Sequence, residues 1–318
     1  MIKNIPNHEK LNDIALSQHF FAWEKTLNLL TEFQECFSNN DIADLISNPT
    51  SPEWYTYIGE QQRSLHAYYA LMQQSNELAL KAKLCKVSPY LLLMGISHKF
   101  SNKNAKEIDF SELKTINAID LIHAVNSFTD FTTTNSFNQR FSDVRKMRNK
   151  ILHLGMTSSD INIICLLREL IDFYIELWPD RNWLKDRKHY CGYGANSMFE
   201  DGKYYTQIGQ TLCEWNISQT IFTKKQFKET FGIEKTRRKY VCLNCYYEAG
   251  RKQVSYHEFP DMSCAYLTSQ SSLRCLICEK QISVSRNPCQ KVGCNGNVIS
   301  VEEEYIFPTC LSCGFEQE

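Results

Sequence analysis

Four closely spaced cysteine pairs near the carboxyl-terminal end constrain this chain more than any other feature. Cys242-Leu243-Asn244-Cys245, Cys275-Leu276-Ile277-Cys278 and Cys310-Leu311-Ser312-Cys313 are C-x2-C knuckles, and Cys289 with Cys294 forms a fourth pair at wider spacing. A tight turn between paired cysteines brings both sulfurs within reach of one ion while backbone N–H groups compensate their charge, and eight thiolates are what two tetrahedral zinc ions require. The simplest assignment is sequential. Cys242, Cys245, Cys275 and Cys278 form one site and Cys289, Cys294, Cys310 and Cys313 the other, an arrangement like two consecutive zinc ribbons. An interleaved pairing, in which Cys275 and Cys278 share an ion with Cys289 and Cys294, is the alternative. Cys264 and His257 are left over in both schemes. Gly293, Gly296 and Gly314 stand where a knuckle turn needs relief.

Disulfides are the competing use of such cysteines, and the compartment decides between them. The segment Met1 to Phe20 mixes Lys, Asn, Glu and Asp among its apolar residues and has no continuous apolar stretch of the kind a secretory signal needs. The longest apolar runs, Tyr90 to Ile96 and Ile161 to Leu167 with Asn162 inside it, fall well short of the roughly 20 residues that span a bilayer. The expectation is a cytoplasmic protein with no membrane segment and two structural zinc ions. The scattered Cys36, Cys85, Cys165, Cys191 and Cys213 then read as small buried hydrophobes in a reducing compartment.

The amino-terminal part has a different character, with little glycine or proline and long helical patterns. Helices are expected from Asn7 to Phe37, from Pro52 to Val87 with Ser88-Pro89 as the break, and around Tyr90 to Phe100. Further helices are expected from a cap at Asp109 or Ser111 to Phe128, from Asn138 to Leu154 with Gly155 as C-cap, and from the caps Ser158, Ser159 or Asp160 to Trp178. The fold class is therefore multidomain: residues 1–180 an all-α bundle, 181–239 a connecting α+β module of short strands and turns with one small helix near Lys224 to Phe231, and 240–318 a small β-rich tandem zinc-ribbon domain.

A net charge of -1 rules out a uniformly basic nucleic-acid coat, so any RNA contact must come from a local patch. The helix from Asn138 to Leu154 offers one. Arg140, Arg145, Lys146, Arg148 and Lys150 stand there against the single acid Asp143. Lys235, Arg237, Arg238, Lys239, Arg251 and Lys252 make a second basic fringe around the first knuckle. On the first helix Asn149 and His153 share a face, while Arg148 lies about 100° around and reaches the same place with its long side chain. Such residues at a helix end also favour the helix dipole and need no further role.

Arg148-Asn149-Lys150-Ile151-Leu152-His153 resembles the R-x4-6-H signature of the HEPN superfamily of helical domains, with the polar residue after the Arg in place. The preceding Glu77 and Lys81, four apart on an earlier helix, and Ser97-His98 after them follow the family's order over about residues 50 to 180. The resemblance implies a metal-independent endoribonuclease acting as a homodimer. In such a site His153 moves protons, Arg148 stabilises the phosphorane charge, Asn149 orients phosphate or imidazole, and Glu77 pairs with Arg148 or Lys81. It also implies a toxin or phage-defence effector, with RNA as substrate and a trigger or inhibitor protein as a further partner. The alternative is a non-catalytic RNA- or protein-binding adaptor, in which the bundle dimerises and the ribbons make contact. The remaining histidines, including His19, His66 and His123, read as ordinary surface or core residues.

Overall fold

The computed structural model describes residues 1–37, 51–94, 107–154, 160–190, 205–250, 262–301 and 307–317. The chain forms two compact units, Met1–Pro179 and Asp180–Glu318. Among the described residues no helix is long and apolar enough to cross a membrane.

In the first unit, α1 (His8–Cys36) starts where Asn7 accepts hydrogen bonds from the Glu9 and Lys10 N–H groups at 2.7 and 3.1 Å, satisfying two of the orphan donors at a helix start. Helix α2 (Pro52–Val87) starts under Ser51 with Pro52 in its first turn. At 36 residues it is about 54 Å long. Ser75 donates to the Ala15 carbonyl and Tyr57 to Glu32, so α1 and α2 run antiparallel. Leu16, Phe20, Trp23, Leu27 and Leu30 from α1 meet Leu65, Met72, Leu80 and Leu84 from α2 in the core. Their spacing of three and four residues is that of a helix with one buried stripe.

The connection after α2 departs from expectation. Tyr90 begins no α-helix: Pro89–Leu92 is a single 3-10 turn, and Leu93 bridges to Thr115 in an extended pair. The backbone bonds Met94 N to Lys114 O (2.8 Å) and Ile116 N to Leu92 O (2.7 Å) hold this pairing. The remainder of that expected helix, with His98, lies outside the described residues. Asp109 does cap, but only the 3-10 turn Phe110–Glu112, and Asn117 caps the α-helix proper, α3 (Ala118–Phe128), by accepting from both Ile119 and Asp120. The residues between the two caps are taken by the pairing with 92–94, which is why one continuous helix cannot form. A short parallel pair, β1 (Ile2–Lys3) with β2 (Ile108–Asp109), completes this edge.

Helix α4 (Asn135–Leu154) begins three residues before the expected Asn138, since Thr134 accepts from the Phe137 N–H at 3.0 Å. Helix α5 (Ile163–Leu177) begins under Asn162 rather than at Ser158, Ser159 or Asp160, of which the two serines, like Gly155, lie outside the described residues. Phe137, Phe141 and Val144 on α4 pack toward α5, where Phe173 meets Phe137 edge to face at 5.6 Å. Lys83 stands over the Phe131 ring just before α4, and Tyr69 feels the charges of Asp143 on α4 and Glu169 on α5. Helices α2 and α4 are therefore antiparallel, and Gln62 of α2 exchanges hydrogen bonds with the Ile161 backbone beyond the end of α4.

In the second unit, the described part of 181–239 is helical and contains none of the expected strands. Helix α6 spans Trp183–His189, α7 Tyr205–Ile221 and α8 Lys224–Phe231. Ile208, Leu212, Trp215, Ser218 and Ile221 recur at helical spacing and are all buried, so Gly209 is a buried helix residue and not a turn. A capping box between Thr223 and Gln226 opens α8, and Gly232, with φ of 68°, closes it. This stretch belongs to the same compact unit as the cysteine region, and Trp215 donates to the Ser263 carbonyl at 3.0 Å. The strands β3 (Tyr240–Val241), β4 (Ser263–Leu267), β5 (Ser272–Cys275), β6 (Gln281–Ser285), β7 (Ile299–Ser300) and β8 (Thr309–Cys310) follow as an antiparallel meander in chain order. Helix α9 (Leu243–Gly250) lies between β3 and β4 in sequence.

Candidate metal centres and basic helix

The meander delivers the cysteines to two places. Cys242 follows β3, Cys245 lies in the first turn of α9, Cys275 ends β5 and Cys278 sits in the turn after it. Their sulfurs all lie within 4.8 Å of one another, with Cys242 to Cys278 at 3.6 Å and Cys245 to Cys275 at 3.7 Å. Cys289, Cys294, Cys310 and Cys313 form a second set within the same limit, with Cys289 to Cys313 at 3.7 Å. The grouping is sequential.

The donor sets fit a metal ion. Four sulfurs about 2.3 Å from a shared centre are separated by about 3.8 Å at the edges of a tetrahedron. A disulfide would need about 2.05 Å. Backbone N–H groups point at the sulfurs: Ile277 and Cys278 toward Cys275 at 3.3 and 3.4 Å, Lys291 toward Cys289 at 3.4 Å, and Gly296 toward Cys294 at 3.3 Å. These are the donors that offset thiolate charge at a metal. Left-handed turns complete the knuckles, at Glu279 (φ 60°) after the first set and at Gly293 (φ 82°) and Gly314 (φ 76°) in the second.

The two centres differ in their surroundings. Cys242, Cys245 and Cys275 are fully buried, whereas in the second set only Cys310 is. Cys264 on β4 is also fully buried and lies 3.6 Å from Cys275, although it belongs to neither four-sulfur set. His257 lies outside the described residues. Gly296 is pressed against the second centre, where a Cβ would come within 2.7 Å of the Cys310 sulfur and 3.1 Å of the Cys294 sulfur. Gln317 is buried, takes a hydrogen bond from the Gln290 N–H and turns its amide nitrogen toward the Cys289 sulfur.

The basic fringe beside the first knuckle is largely engaged within the unit. Lys235 donates to the Thr220 and Phe222 carbonyls at the end of α7, and Arg237 to the Leu267 carbonyl. Arg238 bonds to Ser312 and covers the Tyr240 ring. Lys239 bonds to Gln219, and burial pulls its ammonium below its usual range. Arg251 and Lys252 lie outside the described residues.

On α4 the cations divide. Arg140 is ion-paired with Asp172 at 3.5 Å and, more closely, with Glu176, both on α5. Lys146 reaches Asp143 at 3.5 Å. Among the described residues Arg145, Arg148 and Lys150 form no ion pair. Arg148 is half-buried and donates from Nη1 to the Asn149 side-chain oxygen at 3.2 Å, while His153 is exposed in the last turn beside Leu152.

Glu77 and Lys81 do not join this group. With Tyr69 opposite Asp143 on antiparallel helices, Glu77 lies eight residues one way and Arg148 five the other, which separates them by about 20 Å along the axes. Glu77 instead accepts from Gln73 one turn earlier on α2.

Two titratable groups, one half-buried and one wholly buried, have no role in the sequence reading. Glu169 on α5 has its carboxyl pushed up to about 7 by desolvation, with Asp172 and Asp143 adding to the shift and Arg140 opposing it. The signal was present: Glu169, Asp172 and Glu176 recur at three- and four-residue spacing, forming an acidic stripe that faces Arg140. His19, wholly buried among the rings of Phe20, Tyr174 and Trp178, is held neutral by desolvation, its pKa lowered to about 3.

No family model, curated protein or solved structure matches this chain.

Proposed function

We propose that this protein is a metal-independent endoribonuclease of the HEPN type, acting as a homodimer, whose two four-cysteine centres hold structural zinc. The observation that carries the reading is the end of α4: a half-buried Arg148 oriented by Asn149, with His153 exposed one turn further on. RNA supplies its own nucleophile. A 2'-hydroxyl attacks the adjacent phosphorus, its proton goes to an imidazole, and a second acid protonates the departing 5'-oxygen. His153 of one protomer serves one transfer and its copy across the two-fold axis the other, while Arg148 neutralises the dianionic phosphorane. Arg145, Lys146 and Lys150 hold the flanking phosphates. This chemistry uses no metal ion.

Zinc suits the cysteine centres because tetrahedral thiolate sets select soft or borderline ions of that geometry. The eight cysteines would hold two ions, and each ion would cross-link the two turns that carry its ligands. A role in defence or as a growth-arresting toxin, with a trigger or inhibitor protein, accords with this reading.

The test is cleavage of total RNA in magnesium-free buffer. Wild type should yield products ending in 2',3'-cyclic phosphate, and His153→Ala should lose a factor of about 10² to 10⁴ in rate with its thermal melt unchanged. Intact RNA with wild type sinks the nuclease reading. The absence of Glu77 and Lys81 from the end of α4 favours a second reading, a non-catalytic adaptor, and RNA that is bound but never cut would support it.

A further inference from the structure

A fifth thiol, Cys264, adjoins the four of the first cysteine centre. Cys264 is not a neighbour by chance of sequence, since it comes from the interior of β4, eleven residues before Cys275. The antiparallel register sets Ala265 opposite Cys275, and the Leu276 N–H donates to the Cys264 carbonyl at 2.9 Å, so the backbone carrying Cys264 is bonded directly to the second knuckle. Its sulfur lies 3.6 Å from Cys275, adjoins Cys245, and feels the charge of Cys242. Cys264 thus stands beside the Cys245–Cys275 edge of the set.

Cys278 is also the one ligand of this set that is not fully buried. Within this set the group most open to alkylating or oxidising reagents is therefore Cys278, while the spare sulfur beside the set is protected.

We infer that Cys264 is a reserve metal ligand, which takes the place of Cys278 and keeps the first ion bound when Cys278 is lost or modified. Three ligands stay in place during the exchange. Cys264 gives up its thiol proton as it ligates and replaces the thiolate consumed at Cys278, where an alkylating maleimide bonds to the sulfur and takes a proton from solvent at its own carbon, so the ion keeps four thiolates and the charge of the centre does not change. A small apolar residue would fill the same space in β4 but could not do this. No fifth cysteine stands beside the second set among the described residues, so that centre has no such reserve.

The inference rests on metal occupying the cysteine centres, and one series of full-length variants separates the two ideas by zinc content per chain. Wild type should hold two ions, Cys264→Ser two, Cys278→Ser two, the double variant Cys264→Ser/Cys278→Ser one, and Cys313→Ser one. Fewer than two ions in wild type would defeat the metal reading itself. Two ions in wild type but one in Cys278→Ser, or two still in the double variant, would overturn the reserve-ligand role. Alkylation with N-ethylmaleimide gives the same contrast without a substitution at Cys278. The more exposed second centre should release its ion in both proteins, so wild type should release one equivalent and Cys264→Ser two, and equal release from both would refute the inference.

Discussion

Arg140 on α4 is ion-paired with Glu176 on α5, and Asp172 one turn earlier on α5 flanks the same guanidinium. The most amino-terminal cation of the basic helix thus faces its own protein. Replacing Arg140 by Ala should lower stability by about 1 kcal/mol and leave RNA affinity unchanged, while Arg145→Ala with Lys150→Ala should weaken RNA binding and flatten its salt dependence with no loss of stability. Thermal melts and filter binding at several salt concentrations check both. An Arg140 variant that loses binding but not stability would reverse the division.

Gly296 has no room for a side chain beside the Cys310 and Cys294 sulfurs. Gly296→Ala should therefore displace those ligands and lose the second ion while keeping the first, so that zinc content falls from two to one per chain. Gly232→Ala strains a left-handed helix end but meets nothing within 4 Å, and should cost about 1 kcal/mol of stability without loss of metal.

Glu169 takes up its proton more readily in the folded chain than in the unfolded one, its carboxyl lying at about 7 against an ordinary 4.5. Its contribution to stability is complete below the lower value and is lost as pH rises through the upper one. Glu169→Gln stays neutral throughout. The variant should melt with wild type near pH 4.5 and about 2 to 4 °C above it at pH 8, the partial exposure of the site keeping the gap small. A constant gap across this range would show that Glu169 does not titrate there. Tyr69, Arg140, Asp143 and Asp172 face the same carboxyl and should move its midpoint when replaced.

His19 gives the opposite sign. Its pKa is lowered from 6.5 to about 3, so the unfolded chain binds the proton first and stability falls as the solution is acidified across that window. The slope attributable to one such group approaches about 1.4 kcal/mol per pH unit. Denaturant titrations between pH 7 and 4 should show this slope in wild type, and His19→Leu should lack that share of it. Parallel profiles for the two proteins would remove His19 from the account of acid sensitivity.

Local signals were legible in the residues themselves. Asn7 before α1, Ser51-Pro52 before α2 and Ser88-Pro89 after it place those boundaries because a cap acts on its own first turn. The cysteine spacing is equally local, and the sulfur sets follow it. Features settled by distant partners were not legible. Asp109 and Asn117 are both competent caps, and only the pairing of 114–116 with 92–94 decides which one starts α3. Gly209 looks like a turn residue until Trp215 and Leu212 are seen to need a buried helix face. Glu77 and Lys81 matched an order of motifs along the chain, but order says nothing about which heights of two antiparallel helices come together.

The length of α2 has a mechanical consequence. One unbroken 36-residue rod supplies a wall to α1, α3, α4 and α5, so none of these can detach without exposing a part of the same rod. Slow amide exchange in the first unit should then be lost in a single step from Leu65 through Leu84, with no separately melting subdomain on either side.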